Sequence, residues 1–244
     1  MRIGVTLPSF RDDASAVDAA RRAEALGLDG VFAFDHLWPM GQPNRPALSS
    51  VPLLGAVGAA TERVTLGTLV ARIGLLPDEL LVASLQSLER ICGGRFVAGL
   101  GVGDHLSADE NLAYGVPYAP SEERLASLRW CATRLIDAGL TVWLGGRART
   151  VSLAEELGAV ANVWDAGPDE VASIHAREVK VTWSGIAGKG QGRPSDPQPA
   201  DMVEHLIGIA RAGATWAVSA WPEPPEQFAE VADEVRRRVE ATAH

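Results

Sequence analysis

The sequence predicts an α/β fold, a single (β/α)₈ TIM barrel spanning residues 1–244, on three observations. The apolar pattern alternates between strand-like and helix-like periods from one end of the chain to the other. Eight such units follow one another with no break in composition, which favours parallel strands closed into one barrel over an open, doubly wound sheet. The length of 244 residues is close to the roughly 250 typical of one such barrel.

Ile3, Val5 and Leu7 alternate in an opening strand that Pro8 ends. A helix from about Ala14 to Leu26 carries Val17, Ala20 and Ala23 on one face, and Gly27 is placed to cap it. The second unit is a strand at Gly30–Phe34 and a helix at Pro52–Thr61. The third is a strand at Val64–Leu69 and a helix at Asp78–Ile91, stopped by Gly93 and Gly94. Arg95–Leu100 is the fourth strand, and Ser121–Ala138 its helix, ending at Gly139. Shorter units follow: strands at Thr141–Leu144, Ala159–Trp164, Glu178–Trp183 and Thr215–Ser219. Their helices are Thr150–Leu157, Pro168–His175, Asp201–Ala212 and the amphipathic Glu226–Glu240.

Composition narrows the functional classes. Apolar residues make up 47% and charged residues 22% of the chain, a globular composition. The net charge of −9 repels phosphate backbones, and no basic stripe is segregated, so nucleic acid is not an expected partner. No apolar run approaches the length that spans a bilayer and no basic leader precedes one, so a cytoplasmic protein without a membrane partner is expected. Cys92 and Cys131 show no CxxC or Cys/His spacing, and the five histidines include no HExxH. Reduced, partly buried thiols and no metal site are therefore expected.

The long loops follow the second strand (Asp35–Ser50), the fourth (Gly101–Pro120) and the seventh (Ser184–Ala200). In a barrel these lie at the carboxyl face, where active sites are built. Asp35-His36-Leu37-Trp38-Pro39 leaves the second strand. There a carboxylate can orient an imidazole to shuttle a proton, or the Asp can instead cap loop amides. Gly99-Leu100-Gly101-Val102-Gly103-Asp104 follows the fourth strand, and its glycines let a flat ring or phosphate come close to the backbone. It lacks the third glycine of the dinucleotide fingerprint. Leu144-Gly145-Gly146-Arg147 enters a helix, where amides and an adjacent Arg form an anion site or a plain tight turn. Gly188-Lys189-Gly190-Gln191-Gly192-Arg193-Pro194 lacks phosphate-loop spacing and reads as a linker, with two cations that could touch an anionic tail. Trp143, Trp164, Trp183 and Trp216 each fall in one of the last four strands. Most are expected to pack, with Trp164 and Trp183 placed to wall a planar ligand. His105 and His175 have no obvious partner and are expected to be solvated.

Together these residues resemble the luciferase-like monooxygenase superfamily. The likeness runs from Ile3-Gly4-Val5-Thr6-Leu7-Pro8 through Ala23–Val31, Asp35-His36-Leu37, Ala60–Thr68 and Gly93-Gly94-Arg95-Phe96. It continues to Gly99–Gly103, Tyr114-Gly115-Val116-Pro117 and Leu144-Gly145-Gly146, about residues 1–165 in order. The resemblance implies a luciferase-like barrel and, from the Asp-His and the acid after the glycines, the branch that uses coenzyme F420, with FMN the alternative. It assigns proton chemistry to His36 and Asp104, with Asp35 beside them. It places Thr68, Leu69 and Val70, with a non-prolyl cis bond, behind the cofactor ring. It assigns Gly101, Val102 and Gly103 to the cofactor, and Gly145, Gly146 and Arg147 to its phosphate end. It also implies a homodimer pairing through early helices, in keeping with the apolar Val51–Ala60. The chain departs from the family at Leu135–Thr141, a direct turn where members carry a long insertion, and after the seventh strand, where the loop is shorter than the insertion members carry. A small-molecule oxidoreductase using F420 is the leading expectation. A two-component FMN monooxygenase and a non-catalytic flavin- or partner-binding paralogue are the alternatives.

Overall fold

The computed structural model describes residues 1–10, 15–38, 42, 43, 45, 47–104, 107–189 and 197–241. The helix start expected at Ala14, as well as Pro39, His105 and the 190–194 segment of the seventh-strand loop, lies outside the described residues. Strands β1 (Arg2–Thr6), β2 (Gly30–Ala33), β3 (Thr65–Thr68), β4 (Ala71–Arg72) and β5 (Phe96–Gly101) form the first half of the sheet. Strands β6 (Thr141–Gly145), β7 (Val160–Trp164), β8 (Val181–Gly185) and β9 (Ala214–Ser219) complete it. Every pairing is parallel, in the order β3-β2-β1-β9-β8-β7-β6-β5-β4, and β3 also pairs with β5 through Leu66–Phe96 and Gly67–Val97. That pairing closes the barrel. Because β4 pairs further along the same β5, through Ala71–Leu100 and Arg72–Gly101, β3 and β4 are two pieces of one barrel strand. The cis peptide bond between Leu69 and Val70 lies where they part.

Helices α1 (Ala16–Ala25), α2 (Ser50–Ala60) and α3 (Asp78–Cys92) follow the early strands. Next come α4 (Ser107–Ala113), α5 (Ser121–Asp137), α6 (Ala148–Leu157) and α7 (Pro168–His175), then α8 (Pro199–Arg211) and α9 (Pro225–Glu240). Local chemistry sets their ends. Ser15 caps α1 by accepting from the Asp18 amide, and Gly93 ends α3 at φ 61°, a left-handed conformation that costs other residues more. The helices' apolar faces bury Leu85, Leu88, Leu135, Leu206 and Val235 against the outside of the sheet. This layer is the main core, at about 1.5–3 kcal/mol for each large side chain removed from water.

Inside the barrel a second cluster holds Phe32, Leu69, Val97, Trp143, Trp216 and Val218. Phe32 stacks on Trp143 at 5.1 Å and meets Trp216 edge-on at 5.8 Å. Glycines make room for these rings: a Cβ on Gly67 would stand 2.7 Å from Phe32, and one on Gly30 3.0 Å from Trp216. The plug closes one end of the barrel, and Leu69, which belongs to it, also floors the cavity above.

Candidate active site

A cavity of about 450 Å³ opens at the carboxyl ends of the strands, within the roughly 300–1,000 Å³ usual for ligand sites. Its apolar wall comprises Phe10, Phe34, Leu69, Val70, Val102 and Trp164. Phe10 lies parallel to Phe34 with centroids 5.6 Å apart, and Trp164 meets Phe34 edge-on at 5.7 Å. Asp35, His36, Asp104, Ser107 and Asn162 add polar groups to the lining. Asn162 belongs to a buried chain in which its amide donates to Thr182 Oγ1 (3.0 Å) and Ser184 Oγ donates to its carbonyl (3.0 Å).

His36 stands on the cavity wall, but Asp35 is not its partner. Asp35 Oδ1 accepts from Ser50 Oγ at 2.8 Å and Oδ2 from the Arg72 amide at 3.0 Å. Its carboxylate therefore holds the start of α2 and strand β4 against the end of β2. Burial pushes the Asp35 carboxyl above its usual range, while the Arg72 amide, the Ser50 hydroxyl and the Arg72 charge pull the other way. The carboxylate that meets the imidazole is Glu110, with Oε1 2.8 Å from His36 Nδ1. Glu110 is 3% exposed and Arg72 4%, and Arg72 Nη2 lies 2.9 Å from Glu110 Oε2. That contact is an ion pair off the axis of the N–H bonds, and among the described residues none of the buried guanidinium nitrogens has an aligned hydrogen-bond acceptor. Glu110 Oε2 also accepts from the Leu37 amide at 3.2 Å.

Helix α4, which carries Glu110, falls inside what the sequence reads as a loop. Asp104 prepares it. Its Oδ1 accepts from the Ser107 amide at 3.1 Å, and its own amide donates to Ser107 Oγ at 3.2 Å, a reciprocal pair of the capping-box kind. Glu110 and Tyr114, one turn apart, then face the same way. Glu110 takes the amide of Leu37, and the Tyr114 hydroxyl donates to the Leu37 carbonyl at 3.3 Å. The Asp104-x-x-Ser107 spacing was the signal available for this helix. Asp104 lines the same cavity as His36.

Gly101, Val102, Gly103, Gly145 and Gly146 also line the cavity. Several of these glycines are required by neighbouring protein groups. A Cβ on Gly101 would stand 2.4 Å, and one on Gly145 2.7 Å, from the Val70 side chain; one on Gly103 would meet Arg72 Cδ at 2.8 Å. Val70 is thus wedged between β5 and β6 beneath the cavity. Thr68 is fully buried and donates to the Gly99 carbonyl at 2.7 Å, so it supports Leu69 and Val70 without facing the cavity. The non-prolyl cis bond falls between those two residues, within the stretch the sequence singled out.

At the expected phosphate end, the Gly146 amide donates to the Asn162 carbonyl at 3.1 Å. The Arg147 guanidinium is half-exposed and is held by Glu170 and, at 2.7 Å, by the Trp164 carbonyl; it does not line the cavity. Trp164 faces the cavity as expected. Trp183 does not: it is fully buried, donates to the Ala166 carbonyl at 3.0 Å and packs on His205. It pairs with Val163, next to Trp164, so the pleat turns its ring to the outer face of the sheet, into the core shared with α8.

A family model described as luciferase-like monooxygenase matches residues 1–177. Among curated relatives, an F420-dependent glucose-6-phosphate dehydrogenase of Nakamurella multipartita is 38% identical over 132 residues, which is 53% of this chain and 37% of the relative. A second, from Microbacterium testaceum, is 32% identical over 202 residues, 79% of this chain and 57% of the relative. The chain therefore spans little more than a third of the first and somewhat over half of the second. The fold is shared with an F420-dependent secondary alcohol dehydrogenase in complex with an F420–acetone adduct, at a TM-score of 0.77 and 15% identity, covering 96% of this chain and 99% of that one. It is shared too with the oxygenating constituent of 3,6-diketocamphane monooxygenase of Pseudomonas putida in complex with FMN, at 0.71 and 13%, covering 98% of both chains. With the barrel closed, the Asp-His at the end of β2 and the family match over residues 1–177, the chain belongs to the luciferase-like monooxygenase family.

Proposed function

We propose that this chain is a coenzyme F420-dependent oxidoreductase that moves hydride to or from a small organic substrate. The observation that carries the reading is His36, backed by the buried Glu110–Arg72 pair, facing the same cavity as Asp104 and the Leu69–Val70 wall. The cavity suits a planar heterocycle with polar edges, because aromatic and aliphatic side chains line it together with His36, Asp104, Ser107 and Asn162. The relatives named for F420 support the same cofactor. Leu69, Val70, Gly101, Val102, Gly103, Gly145 and Gly146 would hold the ring and its nearer tail. Arg147 would hold the anionic end by exchanging Glu170 for it, which makes its contribution smaller than the about 1.5–3 kcal/mol of a hydrogen bond to a charged group.

When bound, coenzyme F420 supplies or accepts the hydride. His36 takes or returns the proton of the substrate oxygen, and Asp104 adds a second carboxyl group at the same cavity. Phe10, Phe34 and Trp164 give that proton exchange an apolar wall. A homodimer completes the reading. Helix α2 turns Pro52, Ala56 and Ala59 outward, and Leu48, Leu80 and Ile91 nearby are each at least half exposed, an apolar face suited to a second copy. The free, buried thiols of Cys92 and Cys131 suit a reducing compartment, the cytoplasm.

Titrating the pure protein with F420 and with FMN, followed by cofactor fluorescence, tests the assignment. Saturable quenching of F420 with weaker or no quenching of FMN is expected. The reverse order would transfer the chain to the FMN monooxygenases, and quenching of neither would make it a non-catalytic member of the family.

A further inference from the structure

The two ring nitrogens of His36 have different surroundings. Nδ1 points back into the protein, 2.8 Å from Glu110 Oε1, while the ring is 26% exposed and faces the cavity. Among the described residues the other oxygen of Glu110 is met by donors, the Leu37 amide at 3.2 Å and the Arg72 guanidinium at 2.9 Å. A carboxyl group so placed offers the imidazole an acceptor. Asp35, the other acid beside the ring, is occupied by Ser50 and the Arg72 amide. Phe10 and Phe34 contribute only ring contacts to His36. Which nitrogen of a neutral imidazole carries the proton is set by the hydrogen bond its other nitrogen makes.

We propose that Glu110 is the positioning residue of His36: it accepts the Nδ1 proton, fixes the neutral ring as the Nδ1–H tautomer, and leaves Nε2 as the nitrogen that exchanges a proton in the cavity. Arg72 and the Leu37 amide hold the carboxylate from behind, and Glu110 of α4 and Tyr114 just after it hold Leu37 from its amide and its carbonyl side. When Nε2 takes up a proton, the resulting cation lies against a buried carboxylate already in place, so no reorganisation is required at that moment. The tautomer assignment is independent of the cofactor, whereas the role given to Nε2 rests on the oxidoreductase reading above.

The test is two-bond ¹H–¹⁵N correlation of histidine-labelled protein without cofactor, with His36 assigned by its loss in His36→Gln. The neutral wild-type ring is expected as Nδ1–H. Glu110→Gln, whose side-chain amide can donate to Nδ1, is expected to move it toward Nε2–H. Turnover of that variant should fall by about 10²–10⁴-fold, the range for a lost proton-transfer group, with the F420 dissociation constant unchanged. A wild-type ring in the Nε2–H form overturns the proposal, and that spectrum suffices even if Glu110→Gln does not fold. A folded Glu110→Gln that keeps the wild-type tautomer overturns it as well. A tautomer that switches as expected in a protein that binds no F420 would leave the positioning role standing and sink the cofactor assignment instead.

Discussion

Two adjacent side chains, Asp35 and His36, leave the same strand and do different work because of where each one lies. Asp35 borders the cavity but spends both oxygens on Ser50 and Arg72, so it acts on architecture. His36 reaches the cavity and has one nitrogen tied to Glu110, so it can act on a ligand. The consequence is a separation of kinetic effects. A group that takes or stabilises a proton acts mainly in the transition state, and its loss appears in kcat. His36→Ala is expected to slow single-turnover hydride transfer by about 10²–10⁴-fold while cofactor affinity and melting temperature stay close to wild type. A His36→Ala protein that is stable, binds F420 and turns over normally would remove His36 from the chemistry.

At the scale of elements, the site depends on how β3 and β4 meet their neighbours. Val70 occupies space that side chains on Gly101 and Gly145 would need, and a β-branched side chain has little rotamer freedom with which to yield. Gly145→Ala should therefore destabilise the protein by about 1–3 kcal/mol, the usual cost of overpacking. Val70→Ala in the same chain should return part of that loss, because the two changes share one space and are not additive. Denaturant unfolding of both single variants and the double variant measures the coupling. Additive effects would show that Gly145 is needed for some reason other than Val70. Helix α4 belongs to the same scale. Seven residues could not hold a helix alone, and the Asp104–Ser107 pair, together with Glu110 and Tyr114 gripping Leu37, anchors it over the end of β2.

For the whole molecule, the barrel divides its interior in two. Phe32, Trp143 and Trp216 fill one end, and the cavity with His36 takes the other, at the carboxyl face. Outside, the apolar face around α2, with Leu48, Leu80 and Ile91 exposed, is what a second copy would cover. Light scattering of dilute protein is expected to give about twice the monomer mass of 25.8 kDa. A mass that stays at one chain across the concentration range would leave this face without its proposed partner.

The sequence by itself determined the barrel. Periods of two and 3.6 residues are local properties of the chain, and eight repeats of them leave few ways to bury every apolar face. It also placed Asp35, His36, Asp104, Leu69, Val70 and the glycine pairs at the carboxyl ends, because a residue's position along its strand sets which end of the barrel it reaches. The tertiary structure alone decided which of these groups meet. Glu110 pairs with His36 across 74 positions of sequence, and Arg72 joins them from a third element. Neither contact has a local period or a fixed spacing to announce it. The same holds for the glycines read as room for a ligand, whose missing side chains accommodate Val70 and Arg72, and for Arg147, whose guanidinium finds Glu170 and the Trp164 carbonyl outside the cavity. Strand order and pleat bring such groups together, and these come from closing the sheet, when segments far apart in the chain share one interior.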